Sequence, residues 1–294
     1  MSNPAERVTP RIALVDADSI IFAVASLAEK RAPGETPDED MWFLVKTEDE
    51  AFAEVIAKIG ALIEDAQCED AIVCLSSVVK CFRYDLLPTY KGNRKGARSP
   101  ALRSVLTERL VADCPWNVLR VAGLEADDVC GVSSGSLQRA RDRAIAKGGL
   151  PDGAKVLREP VIISIDKDML QVPGWNYNPG VAGNGFASKM TFVTKAAADR
   201  HFLYQTLIGD GTDGYTGCPG VGPKKANAIL DACAHLPLEE QWKWIVEAFR
   251  KKGLDEEAAL VQARVARILR VDDWDPASKE ITLWSPSEGA LELQ

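Results

Sequence analysis

The sequence predicts an α/β fold with a buried, mostly parallel sheet flanked by helices, and three observations carry that reading. Apolar, β-branched runs at 12–18 (IALVDAD), 71–77 (AIVCLSS) and 161–168 (VIISIDKD) read as buried parallel strands. Between them, the stretches from Glu48 to Ala66 and from Glu125 to Ala146 have helical periodicity, which gives the strand–helix alternation of α/β chains. Each run also delivers polar side chains at its carboxyl end, where open α/β sheets gather their functional groups.

In chain order, the first run leads to Asp16 and Asp18, and the second exits through Ser76 and Ser77 into a basic segment. The third leads to Asp166 and Asp168, which point the same way if the strand continues through them, because strand residues two apart share a face. The stretch from Lys147 to Glu159 with KGGLPDG, and PGWNYNPGVAGNG at 173–185, read as loops. Beyond about residue 200 the pattern is wholly helical, in HFLYQTLIGD, KKANAILDACAHL and QWKWIVEAFRKK. A boundary near Ala198 therefore divides the chain into 1–198 and 199–294. No internal repeat, heptad or low-complexity tail is present.

With 294 residues and 46% hydrophobic content, the chain can bury a full core. No apolar run approaches the roughly 18 residues of a membrane span, and the N-terminal MSNPAERVTPR lacks the apolar centre of a signal peptide. These features lead to the expectation of a cytoplasmic protein with no membrane partner. Seven cysteines without a CxxC pair fit reduced core thiols, and two histidines leave little for a zinc site. The net charge of −8 argues against a nucleic-acid partner until its distribution is considered. From Lys80 to Arg109, eight lysines and arginines face only Asp85 and Glu108, so an acidic chain carries one strongly positive segment.

The acids fall into four local groups: Asp16 with Asp18; Glu125, Asp127 and Asp128; Asp166 with Asp168; and Asp210 with Asp213. Helical spacing places Glu125 and Asp128, or Asp210 and Asp213, on one face. Carboxylates gathered in one place repel by roughly 4 kcal/mol per pair at about 4 Å and an effective dielectric near 20. A single acid at a strand end or in a first helical turn is commonly a cap or a dipole partner. Four groups at separate ends instead point to hard divalent cations, magnesium or manganese, which prefer oxygen ligands. Two such ions about 3.5–4 Å apart activate a water and neutralise a leaving oxygen in phosphodiester hydrolysis.

The segment Leu87 to Arg98 (LPTYKGNRKGAR) follows the second strand. There, Tyr90 can stack on a base, Lys91 and Arg94 can hold phosphates, and Lys95 and Arg98 extend the cationic surface; a solvated loop is the alternative. A second candidate is GDGTDGYTGCPGVGPKKA from Gly209 to Ala226. Its Gly217, Gly220 and Gly222 allow tight turns before a helix whose first amides can face a phosphate, with Lys224 and Lys225 beside them. It lacks the GxxxxGK[ST] of a Walker A loop and reads as the glycine turn of a helix-hairpin-helix.

Taken together, LVDADSI, FRYDLLPTYKGNR, GLEADDV, SIDKDMLQVP and GDGTDGYTGCPGVGPKKA resemble the 5′-nuclease superfamily of flap endonucleases and 5′→3′ exonucleases. Its phage double-strand DNA exonucleases resemble the chain through to ARILRVDDWDPASKEITLW. The resemblance implies a PIN-like core, a helical arch over about 80–109, and a C-terminal all-helical helix-three-turn-helix that grips duplex DNA and often potassium. It implies metal-site roles for Asp16, Glu125, Asp127, Asp128, Asp166, Asp168, Asp210 and Asp213. Lys91 and Arg94 match arch cations near the scissile phosphate, and Tyr90 the aromatic beside them. Substrates implied are DNA with 5′ ends or flaps and RNA primers paired to DNA, with replication proteins as possible partners.

One departure stands out: where the family has an aspartate after the second strand, this chain has Ser76 or Ser77. A hydroxyl is a poorer ligand than a carboxylate for a hard cation, so an aspartate at either serine is expected to lower the magnesium requirement. Two rival readings stay open. A haloacid-dehalogenase-type phosphatase would use Asp16 as nucleophile, Asp18 as acid/base and GDGTD as its metal motif, but it leaves the basic segment and the glycine turn unused. A DNA-binding member with weakened turnover is the other.

Overall fold

The computed structural model describes residues 10–36, 40–94, 96–148, 158–180 and 187–286. Strand β1 (Arg11–Asp16) runs into helix α1 (Asp18–Leu27), and a short hairpin of β2 (Glu29–Ala32) and β3 (Met41–Leu44) leads to α2 (Glu48–Asp65). Thr47 and Glu50 close α2 with a reciprocal capping box, which fixes its start. Strand β4 (Asp70–Leu75) is followed by α3 (Arg83–Leu86), α4 (Arg103–Asp113), β5 (Asn117–Arg120) and the long α5 (Ala126–Ala146). Strands β6 (Glu159–Ile163), β7 (Gly174–Asn178) and β8 (Lys189–Val193) complete the sheet. The C-terminal part comprises α6 (Lys195–Ile208), α7 (Pro223–Cys233), α8 (Leu238–Arg250) and α9 (Glu256–Ala266), then β9 (Trp274–Asp275) and β10 (Glu280–Ile281).

The six-stranded sheet has the order β5-β4-β1-β6-β7-β8 and is parallel except where β8 returns against β7. Alternation in β1 explains its two coats. Ala13 and Val15 face α1, α2 and α4, while Leu14 faces Val129 and Cys130 of α5. A separate cluster around Phe202, Trp242, Phe249 and Trp284 holds the C-terminal helices together. Of the seven cysteines, five are buried and two partly buried, which places them in or against the core. Among the described residues no helix is long and apolar enough to cross a membrane.

Four expectations require correction. The stretch at 173–185 is not all loop, because Gly174–Asn178 forms β7 between β6 and β8. Asn176, the polar residue that disguised it, donates its side-chain amide to the carbonyls of Val172 and Gly174. The third run stops pairing at Ile163, so Asp166 and Asp168 do not lie on a strand. No helical arch spans 80–109 among the described residues: α3 is one turn, a 3₁₀ turn covers Gly92–Arg94, and α4 lies in the core. Leu102, Leu106 and Leu110, four apart, pull α4 down onto α1 and α2. Lastly, the region after residue 198 is not wholly helical, since β9 and β10 pair as a small hairpin. The proposed boundary at Ala198 falls inside the first turn of α6.

Candidate active site

The exits of β4, β1 and β6 lie side by side, and the acids that follow β1 and β6 meet the start of α5 at a cleft of about 820 Å³. Asp16, Asp18, Ser76, Glu125, Asp127, Asp166 and Asp213 line it together with Lys91, Arg94 and Arg98. Asp16 ends β1 and accepts a hydrogen bond from the Ser164 hydroxyl at 2.9 Å. Glu125 is the N-cap of α5 and Asp127 lies in its first turn, where the helix dipole favours negative charge. Asp166 caps the 3₁₀ turn Lys167–Gln171 by accepting from the Asp168 amide at 2.8 Å.

Three of the predicted acids do not line the cleft. Asp168 sits behind Asp166 and accepts from the Gln205 amide group of α6. Asp210 and Asp213 do not share a helical face: Asp210 bridges to Tyr215 and accepts the amides of Thr212 and Asp213, forming a tight turn that points Asp213 alone into the cleft. Because GDGTD follows α6 and not a strand, the phosphatase motif lacks its structural context. Asp128 does not line the cleft and instead faces Arg83. Oxygens of Glu125, Asp127 and Asp128 lie within 4.8 Å of one another, yet both Asp128 oxygens are taken by Arg83 at 2.7 Å and one also by the Leu269 amide at 3.0 Å. We therefore place Asp128 behind the cleft as a counter-ion, because a carboxylate held at both oxygens has little left to offer a cation.

Arg83 is the residue that sequence reasoning missed. Its side chain is 2% exposed, and besides Asp128 it donates to Glu125 at 2.9 Å and to the carbonyls of Val265 and Arg267. Its position in FRYDLL gave no signal, since its partners lie 42 to 184 residues away. Tyr90 also differs from expectation. It is buried and cannot stack on a base; its one hydroxyl proton is shared between Glu125 at 2.8 Å and Asp213 at 3.1 Å. Lys91 has a left-handed backbone (φ 49°), its amide donates to the Asp213 carbonyl, and its ammonium binds Glu125 at 2.5 Å. Arg94 is half exposed and pairs with Asp213 at 2.7 Å. Arg98 reaches buried Glu29 and lies 4.1 Å over the Trp42 ring, so it is anchored at the cleft edge. Lys95 lies outside the described residues.

Burial, with the charge of Asp18 second, raises the Asp16 carboxyl to about 7. Burial and then Asp166 raise Asp168 to about 7, and burial also raises Asp127 and Asp166. Burial pushes Glu125 in the same direction, but Arg83 and Lys91 outweigh it and hold this carboxyl down to about 2. The donors are all oxygens, with no histidine or cysteine among the lining residues, and several are collected at an electrostatic cost. This set fits hard divalent cations held by Asp16, Asp127, Asp166 and Asp213, whereas Glu125 is already neutralised by cations of the chain.

These shifts give a pH dependence with a definite sign. The folded pKa values of Asp16 and Asp168 lie above their unfolded values, so their contribution to stability is fully present below about pH 4 and is lost as pH rises through about 7. Magnesium is expected to raise the melting temperature of metal-free protein more at about pH 8 than at about pH 5, read by differential scanning fluorimetry. A shift of equal size at both pH values would contradict this account of the cleft.

Away from the cleft, the α6–α7 turn places Gly217, Gly220 and Gly222 ahead of α7. Gly217 has φ +61°, and a Cβ there would meet the Gly209 nitrogen at 2.3 Å, so two backbone segments touch where no side chain fits. Gly217→Ala is expected to cost about 3 kcal/mol in urea unfolding, whereas Gly222→Ala, in extended backbone and open space, should cost under about 1 kcal/mol. Equal losses would refute the close-approach argument. Lys225 donates to the Gly220 carbonyl at 2.9 Å and Lys224 is exposed, so both stand at the open N-terminus of α7.

A family model described as 5′-3′ exonuclease, N-terminal resolvase-like domain, matches residues 11–181. The exodeoxyribonuclease of Enterobacteria phage T3 is 29% identical over 307 aligned positions, which cover 94% of this chain and 93% of that protein. The exonuclease of Escherichia phage T7 is 28% identical over the same shares. Among solved structures, the T5 D15 protein co-crystallised with metal ions has the same fold, with a TM-score of 0.54 at 15% identity over 87% of this chain and 88% of that one.

Proposed function

The chain belongs to the 5′-3′ exonuclease family, whose N-terminal resolvase-like domain spans residues 11–181, and from that premise we infer how this 5′→3′ nuclease works. The substrate we propose is DNA with 5′ ends or flaps, with RNA primers paired to DNA as a second class. The observation that carries this reading is the convergence of Asp16, Asp127, Asp166 and Asp213 on one cleft that also holds Lys91 and Arg94. When bound, two magnesium or manganese ions supply activation of the attacking water and charge neutralisation at the leaving oxygen.

The residues of the chain do the rest. Arg94, half exposed, meets the phosphate first and can grip two of its oxygens. Lys91 lies deeper and is positioned by its left-handed backbone to meet the scissile group as a point charge. Tyr90 and Arg83 fix Glu125, and Asp128 holds Arg83, so the wall behind the reacting atoms does not move. Asp168 and Asp210 support Asp166 and Asp213 from behind. The second region, 199–294, would grip the duplex backbone through Lys224 and Lys225 beside the glycine turn, where potassium can also sit. The cytoplasm is the proposed place of action.

Incubation with 5′-labelled duplex and flap DNA tests the reading: short 5′ products should appear with magnesium and vanish with chelator. Salt-sensitive DNA binding without magnesium-dependent products would instead favour the weakened, DNA-binding member.

A further inference from the structure

We propose that Asp18 supplies the cleft with the metal-binding carboxylate that β4 does not provide. The inference rests on the cation-dependent reading above and assigns a residue outside the eight acids to which the family resemblance gave metal-site roles. In the sheet, β1 lies between β4 and β6. Acids follow β1 and β6, but the residue lining the cleft beyond β4 is the neutral Ser76. The register ends with Asp16 beside Cys74, so the chains that continue from them, into Asp18 at the start of α1 and into Ser76 beyond β4, leave the sheet side by side. The Ser76 amide donates to Asp18 Oδ1 at 3.3 Å, which draws the carboxylate from the first turn of α1 toward the exit of β4.

Ser76 itself has another task. Its hydroxyl accepts the Ala126 amide at 3.0 Å and so holds the start of α5, which carries Glu125 and Asp127. Ser77 faces elsewhere and accepts the amides of Val79 and Gly123. The work is thus divided: Ser76 positions α5, and Asp18, tethered through Oδ1, offers its second oxygen to a cation beside Asp16. Backbone pairing between Ala17 and the Cys74 carbonyl at 3.2 Å keeps the two strand exits together.

The test uses manganese alone, without DNA, titrated into metal-free full-length protein and followed by the electron paramagnetic resonance of free Mn²⁺. Asp18→Asn keeps the oxygen that accepts from the Ser76 amide and removes only the charge. It is expected to weaken manganese binding about tenfold or more, with circular dichroism unchanged, because the number of ligand charges sets affinity at oxygen sites. In Asp18→Asn/Ser76→Asp, a carboxylate returns at the exit of β4, and affinity should recover to within a few fold of the parent. Unchanged affinity in Asp18→Asn, or no recovery in the double variant, would overturn the proposal while leaving the nuclease reading intact. A parent protein that binds no manganese would remove both.

Discussion

Asp166→Asn is expected to lower magnesium-dependent cleavage of 5′-labelled DNA about a thousandfold, equivalent to ~4 kcal/mol of transition-state stabilisation. The asparagine keeps the oxygen that accepts from the Asp168 amide, so the 3₁₀ turn stays capped and the fold stays intact. What disappears is one negative charge facing the cleft between Asp16 and Asp213. A steady-state assay with the melting temperature measured in parallel separates the two effects. Cleavage within a few fold of the parent would show that the acids beyond β6 lie outside the chemistry.

The second large effect concerns folding. Arg83→Met should destabilise the protein by about 3–5 kcal/mol, because it leaves the fully buried Asp128 carboxylate without its counter-ion. It also frees the carbonyls of Val265 and Arg267, at the end of α9 and just beyond it, from the guanidinium that ties them to α5. The double variant Arg83→Met/Asp128→Asn should lose less than the sum of the single variants, since the stranded charge is gone. Urea unfolding of the three proteins measures this coupling; strict additivity would mean that the pair is not the source of the loss.

The parts of this molecule that could be read from its sequence are those governed by local pattern. β1, β4 and β6 announced themselves as continuous apolar runs because both faces of the central sheet are covered, and α2 and α5 did so by their spacing. Their exits located Asp16 and Asp166, and Glu125 and Asp127 followed from the start of α5. Features decided by distant partners were hidden. β7 read as a loop because glycine, proline and asparagine dominate its surroundings, although strand neighbours on both sides satisfy its backbone. Tyr90 sat in a basic run that promised exposure, yet the turn at Asp213 folds over it. Arg83 looked like one cation among eight in its segment, and only tertiary contact distinguishes it from the rest.

On the proposed function, the ion pairs that Lys91 and Arg94 make with Asp213, at 3.8 and 2.7 Å, have a thermodynamic consequence. In these pairs the side chains proposed to meet phosphate neutralise a carboxylate proposed to meet metal, as in an internal salt. On that reading a DNA phosphate that draws Lys91 and Arg94 outward would uncover Asp213, and a cation settling on Asp213 would release the two basic side chains. Each ligand would thereby prepare the place of the other, and by reciprocity the factor by which DNA tightens metal binding would equal the factor by which metal tightens DNA binding.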